Sequence, residues 1–216
     1  MKDNNIQGAG SLLEIEKLVA NCQRCTLCKT KNKDVPGSGS EEAEVVFIGE
    51  GPGKEEDLRG EPFVGAAGKF LTEMLSSINL TRHDIFITNV IKHRPPNNRD
   101  PLPEEVEACW PILERQLALI RPKLIVFLGR HALNRFFPDL RISNVHGQAF
   151  RKIFLGNPQV FLALYHPAAA LYNGGMRQTL IDDFKRIPKI LEKITKEDAK
   201  DKNKQSTKNI KISKKA

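Results

Sequence analysis

Four short apolar runs, residues 45–48, 85–91, 124–128 and 160–164, punctuate the chain, each bounded by polar or turn-forming residues. Continuous apolar runs of this length are what strands buried on both faces of a parallel sheet require. Between them apolar residues recur at one-turn spacing. Ser11-Leu12-Leu13-Glu14 has the form of a capping box and opens a helix carrying Leu12, Ile15, Leu18 and Val19. Phe70, Leu71, Met74, Leu75 and Ile78 mark a helix after the first strand. Pro103-Glu104-Glu105 predicts a helix start, with proline and acids in the first turn, running to about residue 120 with a possible kink at Pro111. The third strand is followed by a helix to about residue 137, and a last helix covers about 177–193. Strands alternating with helices predict an α/β fold: a three-layer αβα sandwich on a four-stranded, mostly parallel sheet. Residues 1–10 are polar and expected to be flexible, residues 11–195 form the folded domain, and residues 196–216 lack apolar periodicity and are expected to be disordered.

Charge adds a partner to this picture. The 216 residues carry a formal net charge of +8. Residues 196–216 hold eight lysines against three acids, a net +5, which leaves +3 for the rest. A modestly basic body with a lysine-rich tail suits a nucleic-acid partner, the tail strengthening sequence-independent binding. No N-terminal apolar segment and no run long enough to span a bilayer is present, so a cytoplasmic location and no membrane partner are expected. The same reading expects a monomer. Four cysteines in a reducing compartment point to a metal or cluster rather than disulfides.

The candidate chemistry gathers at strand ends. Gly49-Glu50-Gly51-Pro52-Gly53 leaves the first strand and continues through Glu55-Glu56-Asp57 to Gly60-Glu61-Pro62-Phe63-Val64-Gly65. Its glycines allow a sharp bend and close approach to a ligand, and the end of a parallel strand is where open α/β sheets bind ligands. The loop is neither a dinucleotide fingerprint nor a P-loop. Asn89 lies near the carboxyl end of the second strand, and Tyr165-His166-Pro167 ends the fourth. In a parallel sheet Glu50, Asn89 and His166 converge. The segment after Asn89, Lys92-His93-Arg94-Pro95-Pro96-Asn97-Asn98-Arg99, is a basic loop that its prolines keep out of helix.

These motifs together resemble the family 4, iron–sulfur, uracil-DNA glycosylases, in order and spacing, from about Cys22 to Lys193. The resemblance implies a monofunctional hydrolase that flips uracil out of DNA, cuts its N-glycosidic bond and leaves an abasic site. It assigns Phe63 as a stacking face for the base, and Asn89 as the reader of uracil O4 and N3–H, a pattern that disfavours cytosine. His166 would stabilise charge developing on uracil O2. Glu50 and the backbone of Gly51 would hold the attacking water and support the cationic sugar. Glu56 could crowd C5 and exclude thymine. Leu171 is the candidate wedge that fills the gap left by the base. The family usually has Leu-Leu-Arg there, and this chain has Ala170-Leu171-Tyr172, so the phosphate contact of that arginine is missing; Arg177 is a candidate replacement. An alternative is a uracil-DNA binder that traps its target without turnover. Relatives of that kind also carry His next to Lys in the second-strand loop, but with an inserted basic segment, and residues 94–99 show no insertion.

The resemblance also implies a [4Fe–4S] cluster on four cysteines. Cys22, Cys25 and Cys109 match three of them. At the remaining position this chain has His93, and the 16-residue step from His93 to Cys109 keeps the family spacing. The expected ligand set is therefore Cys22, Cys25, His93 and Cys109, since imidazole can replace a thiolate on iron. Cys28, which extends the spacing to C-x2-C-x2-C, is the alternative fourth ligand, and a Zn site of Cys₃His or Cys₄ type is the alternative metal. A structural role is expected, because glycosidic hydrolysis moves no electrons.

Overall fold

The computed structural model describes residues 6–213, with side chains placed as far as residue 200. A 3₁₀ turn at Ile6–Gly8 leads into α1 (Leu12–Ala20), then a second 3₁₀ turn at Thr26–Lys29 and β1 (Ser38–Gly39). β2 (Val45–Gly49) is followed by α2 (Lys54–Arg59) and α3 (Ala66–Ser76). β3 (Phe86–Asn89) and a third 3₁₀ turn (Pro96–Asn98) precede α4 (Pro103–Ile120), which runs through Pro111. β4 (Leu124–Leu128), α5 (Arg130–Phe136), α6 (Ile142–Val145), β5 (Ala149–Phe154) and β6 (Asn157–Leu164) come next. The chain closes with α7 (Ala169–Tyr172), α8 (Met176–Phe184) and α9 (Ile187–Ser213).

The strands form one sheet in the order β1-β3-β2-β4-β6-β5. The four inner strands are the four apolar runs, mutually parallel, with Gly49 opposite Asn89 and Leu128 opposite Leu164. Alternate residues feed two cores. Val46, Ile48, Ile125, Phe127, Phe161 and Ala163 pack with α1, α4 and α5 on one face. Val45, Phe47, Val126, Leu162 and Leu164 pack with α3, α8 and α9 on the other. Burial on both faces is why these strands read as unbroken apolar runs.

The sheet has six strands rather than the four expected. Both added strands are antiparallel edges. β1 is only two residues long, and every residue of β5 is exposed or half-buried, so neither carries an apolar signal. β5 and β6 are joined by a two-residue turn with Leu155 at φ 49° and Gly156 at φ 78°. That is the primed hairpin geometry, disguised in the sequence by a leucine at its first position.

Three further expectations change. The N-terminal ten residues are not flexible throughout: Ile6 and Ala9 are buried in the first core, and Arg115 Nε donates to the Ala9 carbonyl at 2.7 Å. Residues 1–5 lie outside the described residues. The last helix is two helices, because Pro188 occupies the second position of α9, where its missing N–H costs nothing. α9 then continues to Ser213, where disorder was expected from residue 196. No glycine or proline interrupts residues 189–213, and Lys196 pairs with Glu192 one turn back, so local propensity sustains the helix. Residues 214–216 lie outside the described residues.

Candidate active site

The carboxyl ends of β2, β3, β4 and β6 all meet at one rim of the sheet. A cavity of about 320 Å³ opens there, lined by Glu50, Gly51, Glu56, Phe63, Asn89 and His166 among others. The three strand-end residues singled out in the sequence, together with Gly51, Glu56 and Phe63, therefore share one pocket.

Asn89 is fixed by the register of β3 against β2, opposite Gly49. Its side chain is 1% exposed, and its Oδ1 is buried without a hydrogen-bond partner. An orphaned buried acceptor costs about 1–3 kcal/mol, so its presence in a cavity wall signals a ligand donor. Gly49 makes the space: a Cβ there would stand 2.4 Å from Asn89 Oδ1 and 2.7 Å from Phe63 Cζ.

Phe63 sits in the left-handed region at φ 54°, a strained backbone for an aromatic residue. Arg82 holds it there, donating to the carbonyls of Phe63 at 3.0 Å and Pro62 at 2.6 Å. Gly68 is required beneath it, since a Cβ would fall 1.7 Å from the Phe63 carbonyl oxygen. Glu56 Oε1 accepts from the backbone N–H groups of Val64 and Gly65, each at 2.9 Å. That carboxylate thus ties the Phe63 loop to the start of α3, in addition to lining the pocket.

His166 stacks near Phe63, with ring centroids 5.4 Å apart. Its Nδ1 accepts from the Ala168 N–H at 3.1 Å, which leaves the proton of the neutral ring on Nε2. Burial pushes its pKa down to about 4, against a smaller opposing pull from Glu56. At neutral pH His166 is an uncharged donor.

Glu50 is raised above the ordinary carboxylate range, first by burial and also by Asp100, while His131 and Arg130 oppose the rise. His131 Nε2 lies 3.5 Å from Glu50 Oε2 and 3.4 Å from Asp100 Oδ1. Arg130 donates to Asp100 at 2.7 Å. This cluster escaped the sequence reading. The signal was available, since Arg130 and His131 directly follow Gly129 at the end of β4, as Glu50 follows Gly49 at the end of β2.

The outer wall is formed by Pro95, Asn98, Arg99 and Tyr172. α7 presents Leu171, 50% exposed, beside Tyr172, 92% exposed, so the residue expected as the wedge stands at the surface. Arg177 is otherwise engaged: it bonds Glu73 Oε2 at 2.6 Å and lies over the Phe70 ring at 4.4 Å.

The cysteines occupy a second location. α1 delivers Cys22, and the Thr26–Lys29 turn follows Cys25 and includes Cys28. Arg24 Nε bonds the Ala108 carbonyl at 2.9 Å, holding this segment against α4. On α4 sits Cys109, buried, with Cys22 and Cys25 within electrostatic reach. All four thiols are free. A cavity of about 730 Å³ is lined by Cys22, Cys25 and Cys28 with Arg24, Lys29 and Lys31. Among the described residues no three cysteine or histidine donors lie within 4.8 Å of one another. The two sites are linked through Lys92, which is fully buried. Its Nζ donates to Asn89 O at 2.7 Å and Thr88 Oγ1 at 2.6 Å, and it lies within electrostatic reach of Cys109.

A family model described as the uracil DNA glycosylase superfamily matches residues 36–192. The chain is 53% identical over 188 residues to a type-4 uracil-DNA glycosylase of Archaeoglobus fulgidus, covering 85% of this chain and 94% of that one. It is 46% identical over 183 residues to the type-4 enzyme of Sulfurisphaera tokodaii, covering 82% and 83%. With the type-4 enzyme of Thermotoga maritima it shares 38% identity over 185 residues, covering 84% and 96%.

Proposed function

The chain belongs to the uracil DNA glycosylase superfamily, and from that premise we propose how its residues excise uracil. It is a DNA-repair hydrolase that removes uracil from DNA. The observation that carries the residue assignments is the orphaned Oδ1 of Asn89 in the pocket wall. Uracil turned out of the helix offers N3–H to that oxygen and O4 to the Asn89 amide N–H. Cytosine reverses both groups and meets two mismatches. Phe63 stacks on the base face, worth about 1–3 kcal/mol.

Bond breaking leaves the electron pair of the C1′–N1 bond on uracil, with charge on O2. The Nε2–H of neutral His166 donates to O2 and stabilises the charge that develops there. Glu50, ionised, stabilises the cationic sugar and takes a proton from the water that attacks C1′. Gly51 orients that water through its backbone. Glu56 shapes the Phe63 loop and narrows the pocket beside C5. Leu171 fills the vacated stack. The proton taken up by Glu50 is released to solvent and the uracil anion is protonated as it leaves, so the products are free uracil and an abasic site.

Cys22, Cys25, Cys109 and one further donor would hold a [4Fe–4S] cluster. The free thiols, the shared cavity of Cys22, Cys25 and Cys28, and the basic residues Arg24, Lys29 and Lys31 beside them support this reading. When bound it cross-links the segment after α1 to α4. Uracil excision itself needs no electron transfer.

The test is incubation of the full chain with a uracil-containing oligonucleotide, followed by alkali and a denaturing gel. Cleavage at the uracil position is expected, with turnover. A protein–DNA band that survives denaturation, with no cleavage, would mean trapping instead.

A further inference from the structure

We propose that Cys28, and not His93, supplies the fourth ligand of the cluster, a choice that rests on the iron–sulfur reading above. The turn that carries Cys28 points to it. Cys25 is the N-cap of the 3₁₀ turn Thr26–Lys29, and the Cys28 N–H bonds the Cys25 carbonyl at 3.4 Å. That turn brings Cys28 back beside Cys25, and both Cys22 and Cys28 lie within electrostatic reach of the Cys25 thiol. Cys22 stands a further three residues back, and all three border the same cavity. The rim residues Arg24, Lys29 and Lys31 supply positive charge to a group that is anionic when held by four thiolates.

His93 is differently placed. It is 3% exposed, and the groups that act on it are Lys31, Asp34 and the Val19 backbone rather than any of the cysteines, whereas Cys109 lies within electrostatic reach of Cys22 and Cys25. Its Nε2 is bonded to Asp34 Oδ1 at 2.8 Å, and the ring is hydrogen-bonded to the Val19 backbone. To bind iron through Nε2 it would have to abandon Asp34. It acts instead as a buried strut joining three segments: the end of α1, the loop before β1 and the loop after β3. Thiolate is also the better donor to iron–sulfur iron than imidazole. The sequence position that matches the family ligand has thus become a packing position, and the ligand has moved to a residue 65 positions earlier in the chain.

Anaerobic reconstitution of the full chain with ferrous iron and sulfide tests this, read as iron and acid-labile sulfide per chain and as visible charge-transfer absorption. The wild type is expected to hold about four irons. Cys28→Ser is expected to lose most of them on desalting, and His93→Gln to keep wild-type content and spectrum. A second measurement does not depend on either variant folding. Wild-type protein grown with ¹⁵N-histidine and reduced with dithionite is examined by pulsed EPR, and no directly coordinated ¹⁵N coupling is expected. Strong ¹⁵N coupling, or a loaded Cys28→Ser beside an empty His93→Gln, overturns the assignment and leaves the cluster reading intact. A wild type that takes up no iron overturns both.

Discussion

Replacing Asn89 by alanine separates what this amide does for uracil from what it does for the fold. In the complex both its polar groups face uracil; in the free protein Oδ1 is buried with no partner. Losing two buried hydrogen bonds at about 1–3 kcal/mol each removes about 2–6 kcal/mol from the transition state. At 1.4 kcal/mol per factor of ten that is about a 30-fold to 10⁴-fold fall in single-turnover excision. Stability should respond quite differently. Truncation relieves the orphan penalty of about 1–3 kcal/mol and loses side-chain packing worth about 1–2 kcal/mol. These nearly cancel, so Tm should move by less than about 5 °C in a chain of this size. The assays are single-turnover excision at saturating enzyme and a thermal melt. Excision within tenfold of wild type would refute the reading role. A drop in Tm of more than about 10 °C would show that Oδ1 is bonded in the free protein, and the orphan argument would fall.

Other outcomes follow from the same geometry. Glu50 works ionised, and burial and Asp100 raise its pKa, so excision should fall as pH drops through a range above that of an ordinary carboxylate. His166 stays neutral down to about 4, so that limb belongs to Glu50. Asp100→Asn removes a charge that raises Glu50 and should move the limb to lower pH. His131→Ala removes one that lowers it and should move the limb up; pH–rate profiles in which both variants shift the same way would contradict the cluster's role. Gly49→Ala puts a Cβ against Asn89 and Phe63, an overpacking cost of about 1–3 kcal/mol, and should cut excision at least tenfold in a gel assay while the fold survives by circular dichroism. Deleting residues 196–216 removes a net +5 and should lower the salt slope of DNA binding by roughly 2–4, with saturated single-turnover excision unchanged; parallel slopes in titrations of the two chains would rule out a DNA-binding tail.

The four inner strands were legible because a strand buried on both faces has no polar position to spare. The pocket residues were legible because such strands run parallel and bring Glu50, Asn89 and His166 to one rim, where the resemblance then gave them roles. Segments whose burial is partial left no comparable trace. β5 has no fully buried residue, β1 is two residues long, and the hairpin turn at Leu155-Gly156 lacks the usual residues. At the tail a run free of glycine and proline is helical to Ser213 without an apolar stripe. What only the tertiary structure decided are the distances between groups far apart in sequence. His131 comes within 3.5 Å of Glu50 because β2 and β4 are neighbours. Asn89 Oδ1 is unpaired because Gly49 leaves it room. His93 keeps the family spacing to Cys109, yet its ring is spoken for by Asp34 and Val19. Periodicity and spacing belong to single segments and fix which way each residue faces. Which partner it meets there depends on the register and packing of other segments, and that is settled only when the chain is folded.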